Sequence, residues 1–229
     1  MEKRKKLRPL WILLSVMAGA AVVLVLLASL GVFRSYRYDG TDFTVGGGTV
    51  AGAVREIAVD WLAGPVRVEV TGDDRYLSLG EYGSGELRER DLLRWRLDGD
   101  GRLTVMACAS ANVLPQNPTA KVLVIRIPAA LAEEIGSLSV HIRSGAGDLT
   151  LDVLPEKTAI RVDRRGEIRL TVPDGAGFTL HCEKLSAPPQ GPEWSQQDGT
   201  YVWLDGRADL TVTGTGRQTL RVEQKKSAE

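Results

Sequence analysis

The chain has 229 residues, of which 29 are Lys or Arg, 29 are Asp or Glu, and only two each are His and Cys. That length can bury a sizeable core, and the cysteines allow one disulfide at most. The formal charge of zero hides an asymmetry: setting aside Glu2 and the seven basic residues up to Arg37 leaves 22 basic and 28 acidic residues after Tyr38, a poor balance for sequence-independent nucleic-acid binding, which needs a basic stripe.

Residues 1–9, MEKRKKLRP, form a basic tail, and the uncharged run LWILLSVMAGAAVVLVLLASLGVF follows from Leu10 to Phe33. A helix rising about 1.5 Å per residue needs about 20 such residues to cross a bilayer core, so 10–33 reads as one N-terminal transmembrane helix. The run exceeds the apolar length of a cleavable signal, and Leu30 spoils the small-residue pattern at Ala28 and Ser29. We therefore expect a retained signal anchor, with a cleaved signal as the alternative. Lys3, Arg4, Lys5, Lys6 and Arg8 precede the span and only Arg34 and Arg37 follow it closely. This places the N-terminus in the cytoplasm, the rest outside the plasma membrane, and the lipid bilayer among the partners.

Residues 34–54 include Gly46, Gly47 and Gly48 in a row and keep no period, as in a flexible linker. From 55 to 223 the pattern becomes alternation. Ile57, Val59 and Trp61 are answered after LAGP by Val66, Val68 and Val70. Leu93, Trp95 and Leu97 lead through DGDG, read as a type I′ hairpin turn, to Leu103, Val105 and Ala107. KVLVIRIP (121–128) is apolar on both faces and reads as a central strand, and PAALAEEIG as a short helical turn between Pro and Gly. Residues 224–229 form a polar tail.

The later segments repeat. Val140 and Ile142 precede SGAGD and then Leu149, Leu151 and Val153, while Ile160 and Val162 precede DRRGE and then Ile168, Leu170 and Val172. GRLTV, GDLTL, GEIRL and ADLTV echo the same turn-to-strand phrase. A period near 20 residues is that of stacked β-rungs, each closing its apolar face on its neighbours, with Thr150, Asp152, Arg161, Asp163, Arg169 and Thr171 outward. The fold class is therefore all-β, a solenoid-like stack of short strands, with a two-sheet β-sandwich as the alternative. Open ends need protection, and the helical turn and APPQGP (187–192) are candidates for it.

IAVDWLAGPVRVEV, IRIPAALAEEIGSLSV, SGAGDLTL and VPDGAGFTL, in this order, resemble the bacterial putative-adhesin family of β-strand-repeat domains over about 55–223. Asp60, Trp61, Gly64, Pro128, Leu131, Gly177 and Phe178 carry the resemblance. The family's serine-glycine-aspartate turn is expanded at Ser144–Asp148, replaced at Arg165–Glu167 and lost at Ser186–Pro188. The resemblance implies a right-handed β-solenoid-like domain, often membrane-anchored, with a role in surface interaction or envelope stress, and brings no catalytic residues.

Tests for chemistry return little. Gly145 and Gly147 supply two glycines of a dinucleotide fingerprint, but a strand follows where a helix is needed, so we read a positive-φ turn. His141 and His181 lie on outward faces with no nucleophile elbow; stacked on adjoining rungs they would still lack a third metal ligand. Asp98–Gly101 lacks the distal Glu of a calcium loop. Asp148 and Asp152 are about 13 Å apart along a strand, too far for a glycosidase pair; Asp148 and Asp163 are the best enzymatic candidates. Trp61, Trp95, Trp194 and Trp203 suggest a carbohydrate platform, or core packing for the first two. Strand parity puts Cys108 and Cys182 on different faces, against a bridge. We assign no catalytic, cofactor or metal residues, and expect a non-enzymatic domain contacting an envelope protein or a glycan. A stress-sensing component acting through a membrane partner is the alternative.

Overall fold

The computed structural model describes residues 15–26, 42–72, 74–108, 120–144, 146–163, 166–191, 193–197 and 200–225. Helix α1 covers residues 15–26, with all its side chains exposed. Among the described residues no helix is long and apolar enough to cross a membrane. Twelve helical residues rise about 18 Å, short of a hydrocarbon core of about 30 Å, so the expected transmembrane helix over 10–33 is not supported by them. Its two flanks lie outside the described residues.

The remainder is all-β, in two mixed sheets that do not close into a barrel. The strands are β1 (Thr44–Val45), β2 (Gly48–Val50), β3 (Glu56–Trp61), β4 (Val66–Thr71), β5 (Leu77–Tyr82), β6 (Arg94–Leu97), β7 (Arg102–Met106), β8 (Val122–Pro128), β9 (Ser137–Ile142), β10 (Gly147–Leu151), β11 (Lys157–Val162), β12 (Glu167–Val172), β13 (Phe178–Cys182), β14 (Trp194–Gln197), β15 (Thr200–Trp203), β16 (Ala208–Gly214) and β17 (Thr219–Gln224). Helix α2 (Ala129–Ala132) fills the expected helical turn.

One sheet has ten strands in the order β1-β6-β7-β3-β9-β11-β16-β13-β15-β14, and the other seven in the order β17-β12-β10-β4-β8-β5-β2. Along both, the middle neighbours are parallel: β7, β3, β9, β11, β16 and β13 in the first, and β8, β4, β10, β12 and β17 in the second. The chain steps from the first sheet to the second in β3 to β4, β7 to β8, β9 to β10, β11 to β12 and β16 to β17, so each pair is a rung. Alternation explains why: one face of each rung strand is apolar, and the two inner faces share one core that includes Ile57, Val59 and Trp61 with Val66, Val68 and Leu170. The structure thus joins the two readings, being a two-sheet sandwich whose middle is a stack of parallel rungs.

The repeat is real, with a slip. Val140 pairs with Ile160, twenty residues on, whereas Leu149 pairs with Leu170 and not with Ile168, twenty-one residues on. The rungs do not stack in chain order either: β7/β8 lies outside β3/β4, and β13 lies outside β16.

Antiparallel strands finish both sheets at one end and the ten-stranded sheet at the other. At one, β6 and β5 run antiparallel to β7 and β8, and β1 and β2 add to them. Residues 34–54, expected to be a flexible linker, therefore contain two strands, and Val50 and Val54 enter the core; Gly46 and Gly47 form the passage from β1 to β2. At the other end the β14–β15 hairpin covers β13. The Pro-rich segment lies along the edge of β17, where the Gln190 N–H donates to the Leu220 carbonyl and the Gln190 carbonyl accepts from the Val222 N–H. The expected tail 224–229 begins inside the fold: Gln224 ends β17, and Lys225 pairs with Asp152 at 2.6 Å.

The turn Asp98–Arg102 does join β6 to β7, but among its glycines only Gly101 has positive φ (84°). Both central residues of a type I′ turn would need it. Asp98 Oδ1 instead accepts from the N–H groups of Asp100 and Arg102.

Candidate functional site

Polar side chains converge where strands of the ten-stranded sheet end, on its outward face. Asp60, His141 and Arg161 occupy equivalent positions near the ends of β3, β9 and β11, side by side by register. Arg143 and Asp163, two residues further along their strands, return to the same face. Arg143 grips Asp60 with two nitrogens, Nε at 2.6 Å from Oδ1 and Nη2 on Oδ2. His141 Nδ1 is 3.6 Å from Asp60 Oδ1. Its Nε2 is 2.9 Å from Asp163 Oδ2, an ion-pair contact whose angle falls short of a hydrogen bond. Arg161 Nε reaches the other Asp163 oxygen at 3.2 Å, and the Thr215 hydroxyl donates to the Asp163 carbonyl.

The result is an alternating line Arg143, Asp60, His141, Asp163, Arg161 laid across three rungs. Partial burial pushes the Asp163 carboxyl up, but the His141 imidazole and the Arg161 guanidinium outweigh it and hold the group below its ordinary value of 3.8. Each imidazole nitrogen faces a carboxylate, so His141 links Asp60 and Asp163 across neighbouring rungs. The Thr215 hydroxyl is committed to the Asp163 backbone carbonyl, and the contacts described bring no other hydroxyl and no thiol to the cluster.

The other residues singled out in the sequence scatter. Asp148 is outward on the seven-stranded sheet while Asp163 belongs to the ten-stranded one, so the two enzymatic candidates are not brought together. His181 is exposed, 3.1 Å from Asp209. It lies three strands from His141, so the histidines do not occupy adjoining rungs. Among the described residues no group of three His, Cys, Asp or Glu could hold a metal ion.

Both cysteines are free. Cys108 is buried just past β7, against the parity reading, because the strand ends at Met106. Cys182 sits in β13, five strands away and thus about 24 Å across the sheet, far beyond bridging distance. Burial pushes the Cys182 thiol up. The tryptophans form no common platform. Trp61 and Trp203 are in the core, Trp95 lies near the β1 end, and Trp194 and Trp203 pack with Phe178 near the β14 end.

In the corner SGAGD, Gly145 lies outside the described residues, and Gly147 opens β10 without positive φ. A Cβ there would press on Val162 and Ile168, at 3.3 and 3.4 Å, so this glycine serves close packing.

Two features escaped the sequence reading. One is the convergence on His141, although aligning VDW, VHIR and IRVD by their apolar residues already puts Asp60, His141 and Arg161 in one row. The other is Lys121, 5% exposed, whose Nζ lies 2.6 Å from Glu81 Oε2, 2.7 Å from the Asp91 carbonyl and 3.1 Å from that of Cys108. Nothing in the pattern distinguishes it from a surface lysine.

No family model and no curated protein matches the chain. A solved structure does: a putative cell adhesion protein from Clostridium sporogenes, with a TM-score of 0.54 and 14% identity over 80% of this chain and 100% of that one. The likeness is one of fold. A putative adhesin from Bacteroides fragilis aligns over 80% of this chain and 98% of its own at 9% identity, with a TM-score of 0.27. The first likeness gives the chain a putative-adhesin-like fold, the part of the sequence resemblance that concerns fold.

Proposed function

We propose that this chain is a non-enzymatic surface-interaction domain of a bacterial cell envelope, anchored in the plasma membrane by residues 10–33 with its β-domain outside. The observation that carries the reading is the fold shared with the putative cell adhesion protein from Clostridium sporogenes. Two further features support it. The sheets turn two broad, charged outer faces to solvent, and the converging side chains around His141 pair with one another instead of flanking a cleft. The apolar side chains of α1, such as Val16 and Val25, are 64% and 68% exposed, and hydrocarbon would cover them. We take the winding to be right-handed, the hand that parallel crossovers strongly favour.

The test is recovery of partners from intact cell envelopes by the full-length chain, with residues 1–54 alone as the control. Enrichment of an envelope protein or glycan by the full chain over that control is expected. An identical set from both would sink the proposal.

A further inference from the structure

The two sheets finish differently at the same end of the stack. The seven-stranded sheet stops at β17, whose outer edge is occupied by the strip from Lys184 to Gln190. That strip carries Pro188 and Pro189, which have no N–H to offer a further strand. The ten-stranded sheet stops at β14, and among the described residues no segment is hydrogen-bonded beyond it. β14 reads WSQQ, with Ser195, Gln196 and Gln197 exposed. It has none of the devices that blunt an edge: no Lys or other charge, no proline and no bulge. At the opposite end of the stack, the edges of β1 and β2 are only two and three residues long.

The hairpin's own ladder fixes which backbone groups are left over. Leu204 N–H donates to the Glu193 carbonyl, which makes these two a hydrogen-bonded pair, and such pairs recur at every second position of an antiparallel ladder. Ser195 with Val202 and Gln197 with Thr200 are the next two. Trp194 and Gln196 fall between them, so their N–H and C=O groups point away from β15 and out of the open edge. One uncharged strand thus presents two donors and two acceptors.

Those groups complement themselves. When two β14 strands pair antiparallel about a twofold axis at Ser195, Trp194 of each copy lies opposite Gln196 of the other, and every outward group enters one of four hydrogen bonds. Ser195 then faces its own counterpart and Gln197 faces Glu193, so no like charges meet. Neighbouring registers do less well. An axis at Trp194 sets Gln196 against Pro192, which lacks a donor, and an axis at Gln196 carries Trp194 past the end of the partner strand at Gln197. The N-terminal ends stay clear, because β1 is at the far side of each sheet; two ten-stranded sheets joined in this way hold them about 90 Å apart.

We infer that β14 is a homophilic pairing edge, joining two copies of this chain strand to strand through Trp194 and Gln196. This goes beyond the surface-interaction reading by naming a second copy as a partner, and its test does not depend on the membrane anchor. A four-residue edge falls short of the roughly 1,200 Å² that stable complexes bury, so the pairing is a reversible contact.

The experiment is disulfide trapping of the full-length chain in detergent micelles, in a Cys182→Ser background that leaves only the buried Cys108. Ser195→Cys places the two new thiols on a directly opposed pair without ladder bonds, about 4.5 Å between Cα atoms and within bridging range. Gln197→Cys, on the same face, leaves them about 13 Å apart along the strands. Ser195→Cys should therefore form a disulfide dimer at least about tenfold faster than Gln197→Cys. Adding Gln196→Pro removes an outward donor and no hairpin bond, so it should slow trapping to the Gln197→Cys rate with the urea unfolding curve unchanged. Equal rates for the two cysteine variants overturn the inference, and so does trapping that survives Gln196→Pro. If Gln196→Pro does not fold, the comparison of Ser195→Cys with Gln197→Cys decides alone. An envelope protein captured through β14 and lost in Gln196→Pro, with no Ser195→Cys dimer, would replace the second copy by a foreign strand and leave the surface-interaction reading standing.

Discussion

The Lys121 ammonium and the Glu81 carboxylate are both withdrawn from water, at 6% and 3% side-chain exposure, so each depends on the other. Glu81 also accepts from Leu93 N–H at 2.6 Å, and Lys121 lies 5.4 Å from the Trp61 ring centre, whose indole N–H donates to the Lys121 carbonyl. Removing one partner leaves a buried charge uncompensated, which costs about 3–5 kcal/mol. Lys121→Met should lower the unfolding free energy obtained from urea titration by that amount, and adding Glu81→Gln should restore much of it. The Asp163 carboxylate gives a smaller and pH-dependent effect. Its folded pKa is below the ordinary value, so its contribution is present above pH 3.8 and is lost as pH falls through the folded value. Urea midpoints measured between pH 6 and 2 should fall less steeply on the acid side for Asp163→Asn than for wild type.

At the scale of the element, sheet edges decide how the stack ends. The outer edge of β17 would offer free N–H and C=O groups, but Ser186 and Gln190 occupy it. That cover depends on Gly191, which has φ of 149° and stands where a Cβ would come within 2.5 Å of the Trp203 ring. Gly191→Ala should cost about 2 kcal/mol, through crowding and a backbone conformation that alanine resists. Amide exchange at Val222, bonded to the Gln190 carbonyl, should accelerate more than exchange at Leu149 in mid-sheet. The strands themselves were readable because one apolar face must be buried: Ile57, Val59, Trp61, Ile160 and Val162 are all in the core, as their alternation required. β1 and β2 were not readable. Each is at most three residues long, and the glycines between them look like tether composition; what calls for Gly47 is the nearby Leu79 carbonyl, which only the folded chain supplies.

At the scale of the whole molecule, alternation tells which face of a strand is buried and says nothing about which strand lies beside it. Rung order was therefore hidden: β3 is followed in sequence by strands that end up outside it, and the edges of β7 and β9 look alike to it. The site was less legible than the fold for the same reason. Asp60, His141 and Asp163 acquire meaning only once β3, β9 and β11 are neighbours.

The short antiparallel strands at the N-terminal end bear on how this molecule would carry tension. A chain held at its N-terminus and pulled through a ligand on its outer face receives the load first at β1 and β2, which hold five residues between them. These can peel away while β3, clamped between β7 and β9 by parallel ladders on both sides, stays in place. Straightened, the chain from residue 42 to the start of β3 would span about 45 Å, and the slack it gives is that length less the distance it spans when folded. The first strands would thus act as a built-in shock absorber, yielding before the rungs that hold the fold together.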